Sequence, residues 1–161
     1  MSIERARAHL AAFGLEDRIL EFDVSSATVA LAAQAVGCEP EHIVKTLSFE
    51  KGEGALLILA AGTARIDNQK FKQRFCMKAK MLSAERVEPL TGHGIGGVCP
   101  FGIPDAAEVW LDESVRGLDP VYPAAGTPNS AVRLSVDELE RASGALGWVD
   151  VCKMPLKEEN I

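Results

Sequence analysis

Ile43-Val44-Lys45-Thr46-Leu47-Ser48-Phe49 and Ala55-Leu56-Leu57-Ile58-Leu59-Ala60-Ala61 are two apolar runs joined by Glu50-Lys51-Gly52-Glu53-Gly54. Runs of this length on either side of a glycine-bearing turn predict the two strands of a hairpin. Toward the N-terminus, Ser2 is placed to cap a helix whose apolar stripe is Ile3, Ala6, Leu10 and Phe13, with Gly14 ending it. Residues 18–22 then predict a short strand. Ser26 precedes a second helix through Thr28, Val29, Leu31, Ala32, Ala35 and Val36, stopped by Gly37 with Pro40 barring its continuation.

Beyond the hairpin, Asp67 is a cap for a short basic helix carrying Phe71 and Phe75, and another short helix follows Ser83. Residues 108–111, 121–125 and 131–134 predict short strands separated by Gly, Pro and Asp turns. Ser135 and Glu138 have the spacing of a capping box, opening a last helix that Gly144 closes. Helices and strands in this order, without regular alternation, predict an α+β domain with a mixed or antiparallel sheet. At 161 residues, 47% hydrophobic and 25% charged, residues 1–161 form one ordinary globular domain.

The apolar run at 55–61 is far shorter than the roughly 20 residues of a membrane helix. The first ten residues carry Glu4, Arg5, Arg7 and His9 and have no signal-peptide core, so a cytoplasmic protein is expected. Cys38, Cys76, Cys99 and Cys152 are scattered, which predicts reduced thiols with neither a zinc knuckle nor a redox pair, and no metal.

A net charge of −6 argues against coating of nucleic acid, DNA included. One segment departs from that average. Arg65, Lys70, Lys72, Arg74, Lys78 and Lys80 face a single acid, Asp67, which suits a grip on a few phosphates at one end of a nucleic acid as well as it suits a solvated helix face.

Gly92-His93-Gly94-Ile95-Gly96-Gly97 has the letters of a dinucleotide fingerprint, but it runs into Val98-Cys99-Pro100-Phe101, where no helix can receive a pyrophosphate. No nucleotide cofactor is expected. The loop's backbone N–H groups can instead meet an anion or a polarised carbonyl, or the glycines can serve a tight turn alone. Lys45, set among apolar strand residues, either snorkels to an edge or brings a compact positive charge into a cleft. His93 is a candidate base or substrate contact, with a structural hydrogen bond as the alternative. No nucleophile set is present: G-x-S-x-G is absent and no Ser or Cys sits beside a histidine partner.

Glu41-His42-Ile43-Val44-Lys45-Thr46-Leu47, then Ala60-Ala61-Gly62 before a basic helix, then residues 92–102 ending Pro100-Phe101-Gly102, and then Gly126-Thr127-Pro128-Asn129 with Ser130 to Leu134, in that order, resemble the YbaK/EbsC family. This editing domain is also found inserted in bacterial prolyl-tRNA synthetases. The similarity runs over about residues 20–150. It implies an α+β fold around a mixed, partly barrel-like sheet flanked by helices, and hydrolysis of small amino acids such as alanine or cysteine wrongly esterified to tRNA(Pro). The expected partners are that mischarged tRNA and prolyl-tRNA synthetase. The alternative is a noncatalytic module that binds tRNA or a synthetase through the same cleft.

By this resemblance Lys45 matches the family's essential lysine, and the glycine-rich loop matches the segment that binds the aminoacyl end. The expected catalytic set is Lys45 with Gly94, Gly96 and Gly97. Thr46, Gly62, His93, Ile95, Val98, Pro100, Phe101, Gly126, Thr127 and Asn129 are expected to bind substrate, and Arg65, Lys70, Lys72, Arg74, Lys78 and Lys80 the tRNA. Two positions depart from the pattern: Thr46 stands where alanine editors tend to have Asn, and Pro128 falls near where some members place a pocket histidine.

Overall fold

The computed structural model describes residues 2–154. Helix α1 (Ser2–Ala11) begins on Ser2 itself, one residue earlier than a Ser2 cap requires, and buries Ala6 and Leu10 completely. Gly14 follows it with φ of 72°, a conformation that costs glycine little. Strand β1 (Ile19–Glu21) leads to α2 (Val29–Val36), whose cap is Thr28, its hydroxyl accepting the Leu31 N–H, while Gly37 ends the helix in the left-handed region.

The hairpin is the centre of the fold. β2 (Ile43–Lys51) and β3 (Gly54–Ala61) pair antiparallel in one register from Val44 opposite Ala61 to Lys51 opposite Gly54. Every residue of β3 is buried because both faces of the sheet are covered. Leu57 and Leu59 join Ala6, Leu10, Phe101 and Leu139 in one core. Leu56, Ile58 and Ala60 join Phe49, Phe71 and Val151 in another.

After β4 (Arg65–Ile66) comes α3 (Asn68–Phe75), with the Asp67 carboxylate accepting from the Gln69 and Lys70 N–H groups, and then α4 (Ala84–Thr91). β5 (Glu108–Asp112), β6 (Tyr122–Pro123), β7 (Ser130–Val132), α5 (Val136–Ser143), β8 (Trp148–Val149) and β9 (Cys152–Lys153) complete the chain. The Ser135 and Glu138 capping box is formed in full.

The main sheet runs β6-β2-β3-β5-β8, with β2 antiparallel to β3 and the other pairings parallel. It is a mixed sheet flanked by helices and stays open. It does not close into a full barrel: β1 and β7 pair with each other as a separate ribbon, as do β4 and β9. The expected strand at 121–125 shrinks to two residues, and the one at 131–134 becomes Ser130–Val132.

Candidate functional site

The topology leaves one gap. β6 pairs with β2 only at Ile43 and Val44, and β2 regains an outer neighbour only where the Leu82 N–H donates to the Ser48 carbonyl and Phe49 bridges Met81. Between those points the edge of β2 is open. A cavity of about 350 Å³ fills the gap, walled by the first turn of α2 with Ser26 before it, by Leu82 and Val87, by the loop at 95–98 and by Tyr122, Ala124, Ser130 and Ala131.

Of the sequence-predicted residues, Lys45, Thr46, Ile95, Gly96 and Val98 line this cavity together. Among the described residues Lys45 is the only charged one in the lining. It is half-buried, and among the described residues no hydrogen bond or ion pair engages it. Loss of hydration holds its ammonium below the usual lysine pKa; the Cys152 thiol opposes the shift and the Arg65 charge adds to it. In register Lys45 stands opposite Ala60, on the face that carries Leu47 and Phe49, whereas Val44, Thr46 and Ser48 occupy the other face. Because β2 is an edge here, residues of both faces border the cavity. The Thr46 hydroxyl oxygen is buried and has no hydrogen-bond partner among the described residues.

In the glycine loop, Gly97 serves packing. The Gly97 N–H donates to the Gly94 carbonyl at 3.0 Å, so it is not free for an oxyanion. A Cβ on Gly97 would stand 2.5 Å from the Gly126 carbonyl carbon and the Thr127 nitrogen, so Gly97 is what lets the loop press against that strand of chain. Gly96, with φ of 90°, lines the cavity and rests on Ala27 and Pro128; Gly94 has open space around it and lies outside the lining.

His93 is a correction. It is fully buried outside the cavity lining, and its Nε2–H donates to the Phe101 carbonyl at 2.7 Å, leaving Nδ1 unprotonated and without a partner. Burial lowers its pKa, the Phe101 bond opposes this and the Arg5 charge adds to it. The native state therefore keeps a neutral ring that the unfolded chain protonates near pH 6.5, so stability present above that pH is lost as pH falls. Thermal melting of wild type beside His93→Gln between pH 7.5 and 5 should give a steeper decline for wild type. Equal declines would contradict this role.

Phe101 and Pro100 are likewise buried away from the cavity, Phe101 packing on the His9 ring at 5.7 Å. Gly62 is a packing glycine whose added Cβ would strike the Pro40 carbonyl and Val29. Asn129 donates from Nδ2 to the Phe22 carbonyl at 3.0 Å, and the Thr127 hydroxyl donates to Ser130 Oγ at 2.7 Å. Gly126, Thr127 and Asn129 thus brace the wall that Ser130 and Ala131 present. Sequence reading missed Ser26, Thr28, Leu82, Tyr122 and Ala124; only the Thr28 cap left a local signal.

The basic segment divides. Lys70 is held by Asp150 at 3.1 Å and the Cys152 carbonyl at 3.0 Å, and the Arg74 guanidinium lies over the Trp110 ring at 4.7 Å. Arg65, Lys72, Lys78 and Lys80 are exposed, and Lys80 adjoins Met81 on the cavity lining. Cys99 and Cys152 are buried, which pushes both thiols up to about 12, whereas Cys76 is exposed. Among the described residues no group of three His, Cys, Asp or Glu side chains is placed to hold a metal, and no helix is long and apolar enough to cross a membrane.

The chain matches the aminoacyl-tRNA editing domain family over residues 24–142 and belongs to it. It is 46% identical over 154 residues to the uncharacterized protein YwhH of Bacillus subtilis (strain 168), covering 95% of this chain and 98% of that one. It superposes with a TM-score of 0.85 on a crystal structure described as "a putative trans-editing enzyme for prolyl tRNA synthetase", at 35% identity over 94% of this chain and 97% of that one. A crystal structure of a hypothetical protein is similar at 29% identity and a TM-score of 0.82, covering 92% of this chain and 99% of that one.

Proposed function

We propose that this protein is a deacylase that hydrolyses tRNA(Pro) mischarged with a small amino acid, acting in the cytoplasm alongside prolyl-tRNA synthetase. The observation that carries the reading is Lys45, a charge with no partner among the described residues, on the wall of a cavity whose other described lining is apolar and hydroxyl-bearing side chains with Gly96. A cavity of about 350 Å³ accommodates a small aminoacyl group with the adjoining ribose. A synthetase pocket shaped for proline cannot strongly exclude a smaller side chain, since a missing methylene changes binding by only about 1–3 kcal/mol. A second site that destroys the wrong product answers that deficit.

The ester is already activated, so orientation and a fixed positive charge suffice without a protein nucleophile. Water's oxygen bonds to the acyl carbon, the bond from that carbon to the terminal ribose oxygen breaks, and the ribose oxygen takes up a proton. Free amino acid and uncharged tRNA result. Lys45 attracts the ester carbonyl or the terminal phosphate, while Arg65, Lys72, Lys78 and Lys80 attract the acceptor stem.

The test is release of labelled amino acid from Ala-, Cys-, Ser-, Thr- and Pro-charged tRNA(Pro). Release of a small amino acid with prolyl-tRNA spared is the expected result. Binding without hydrolysis of any ester would overturn the reading in favour of a binding module. Replacing Lys72, Lys78 and Lys80 with Gln should weaken binding and reduce the slope of log affinity against log salt by about 2 to 3.

A further inference from the structure

An oxyanion site needs a free donor, and the Gly97 amide is already engaged. The open edge of β2 supplies another. In an antiparallel ladder alternate residues turn both N–H and C=O to opposite sides of the strand. The Glu50 N–H donates outward to the Lys80 carbonyl and the Ser48 carbonyl accepts outward from Leu82, so even-numbered residues of β2 point their backbone groups away from β3. Thr46 has that parity. It lies past the last β6 pairing, at Val44, and before the Ser48 contact, and among the described residues no backbone partner meets it on the outer side. Its N–H and C=O therefore face the cavity, next in sequence to Lys45. With the Thr46 hydroxyl buried, these are the polar groups the residue offers there.

One N–H and one C=O on the same side of one residue form the half of a hydrogen-bonded antiparallel pair. An α-aminoacyl ester carries the other half on a single residue: an ammonium that donates and a carbonyl oxygen that accepts. Resting on the deacylase reading, we infer that the aminoacyl group docks as a one-residue β-bridge on Thr46. The Thr46 C=O accepts from the substrate's ammonium and the Thr46 N–H donates to the ester carbonyl oxygen as it gains negative charge. Paired residues in a sheet carry their side chains on the same face. The L-acyl side chain then falls on the Thr46 and Val44 face, against Val98 and Leu82, while a D-acyl side chain is turned to the opposite face.

Because the Thr46 N–H takes no part in the pairing with β3, it can be deleted without opening the hairpin. Proline is tolerated at such an edge position, and replacing Thr46 by its α-hydroxy acid puts an ester oxygen in place of the N–H with no constraint on φ. With L-alanyl- and L-seryl-tRNA(Pro) as probes, each change should lower kcat by about 10²- to 10³-fold, the usual loss for one oxyanion donor, with melting held within a few degrees. Thr46→Val, which keeps the edge groups, should lose less than about tenfold. The D-enantiomers should be released far more slowly than the L-esters. If the α-hydroxy acid variant cleaves as fast as wild type, or D- and L-esters are released equally, the β-bridge is wrong while the deacylase reading stands. If wild type cleaves no ester, it is the deacylase reading that falls.

Discussion

Lys45→Met is expected to reduce deacylation at least about 100-fold and yet to raise the melting temperature. The two effects have one origin. The ammonium is half-buried with no carboxylate among the described residues paired to it, so the folded state bears a desolvation cost that the unfolded chain does not. Methionine keeps much of the apolar stem and removes the charge. If the relief is about 1 kcal/mol, a chain of this size melts about 2–4 °C higher. The pH dependence has a definite sign: with a folded pKa held below the unfolded value, the charged lysine costs stability at low pH, and that cost is relieved as pH rises through the folded pKa. Activity that needs the ammonium moves the opposite way, falling over the same interval once the uncatalysed hydrolysis rate is subtracted. Differential scanning calorimetry beside single-turnover deacylation checks both. A variant that keeps its activity would remove Lys45 from the mechanism; one that loses activity and melts well below wild type would make the lysine structural.

Trading stability for a charge where a reaction needs it is common at active sites, and it explains why Lys45 could be singled out from sequence. A lysine between Val44 and Leu47 breaks the apolar pattern, and the break is visible in one dimension. The hairpin was equally legible, since its two runs and glycine turn are local signals, as were the Asp67 cap and the Ser135 and Glu138 capping box. The open edge of β2 was not legible. It depends on β6 being only two residues long and on β1 and β7 pairing apart, and a two-residue strand carries no periodicity to read. For His93 the sequence left a substrate contact and a structural hydrogen bond both open, because the passage of the loop beneath α1, where the Gly102 N–H donates to His9 Nδ1 at 3.1 Å, has no local signal. In the basic segment, sequence counted six cations, but Lys70 and Arg74 are engaged by Asp150 and Trp110, partners distant in the chain.

The glycine loop gives the second large effect. Glycines near a site suggest free backbone donors, but they also allow two chains to touch, and the structure assigns Gly97 to the latter. Gly97→Ala would place a Cβ 2.5 Å from the Gly126 carbonyl carbon and the Thr127 nitrogen, and 2.7 Å from the Gly126 oxygen. These are backbone atoms and cannot swing aside. The loop must lift from the segment at 126–128, losing the Gly96 contacts with Ala27 and Pro128 and opening the wall formed by Ile95, Gly96 and Val98. Overpacking of this kind costs about 3 kcal/mol, or about 6–12 °C in melting temperature, with deacylation falling as the wall opens. Gly94→Ala is the contrast: its Cβ meets nothing within 4 Å and its φ is not positive, so it should melt within about 2 °C of wild type. Equal melting of the two variants would mean that the loop is not docked on Gly126. Loss in Gly97→Ala alone would locate the function of Gly97 in the closeness of two chain segments rather than in its amide, which the Gly94 carbonyl already engages.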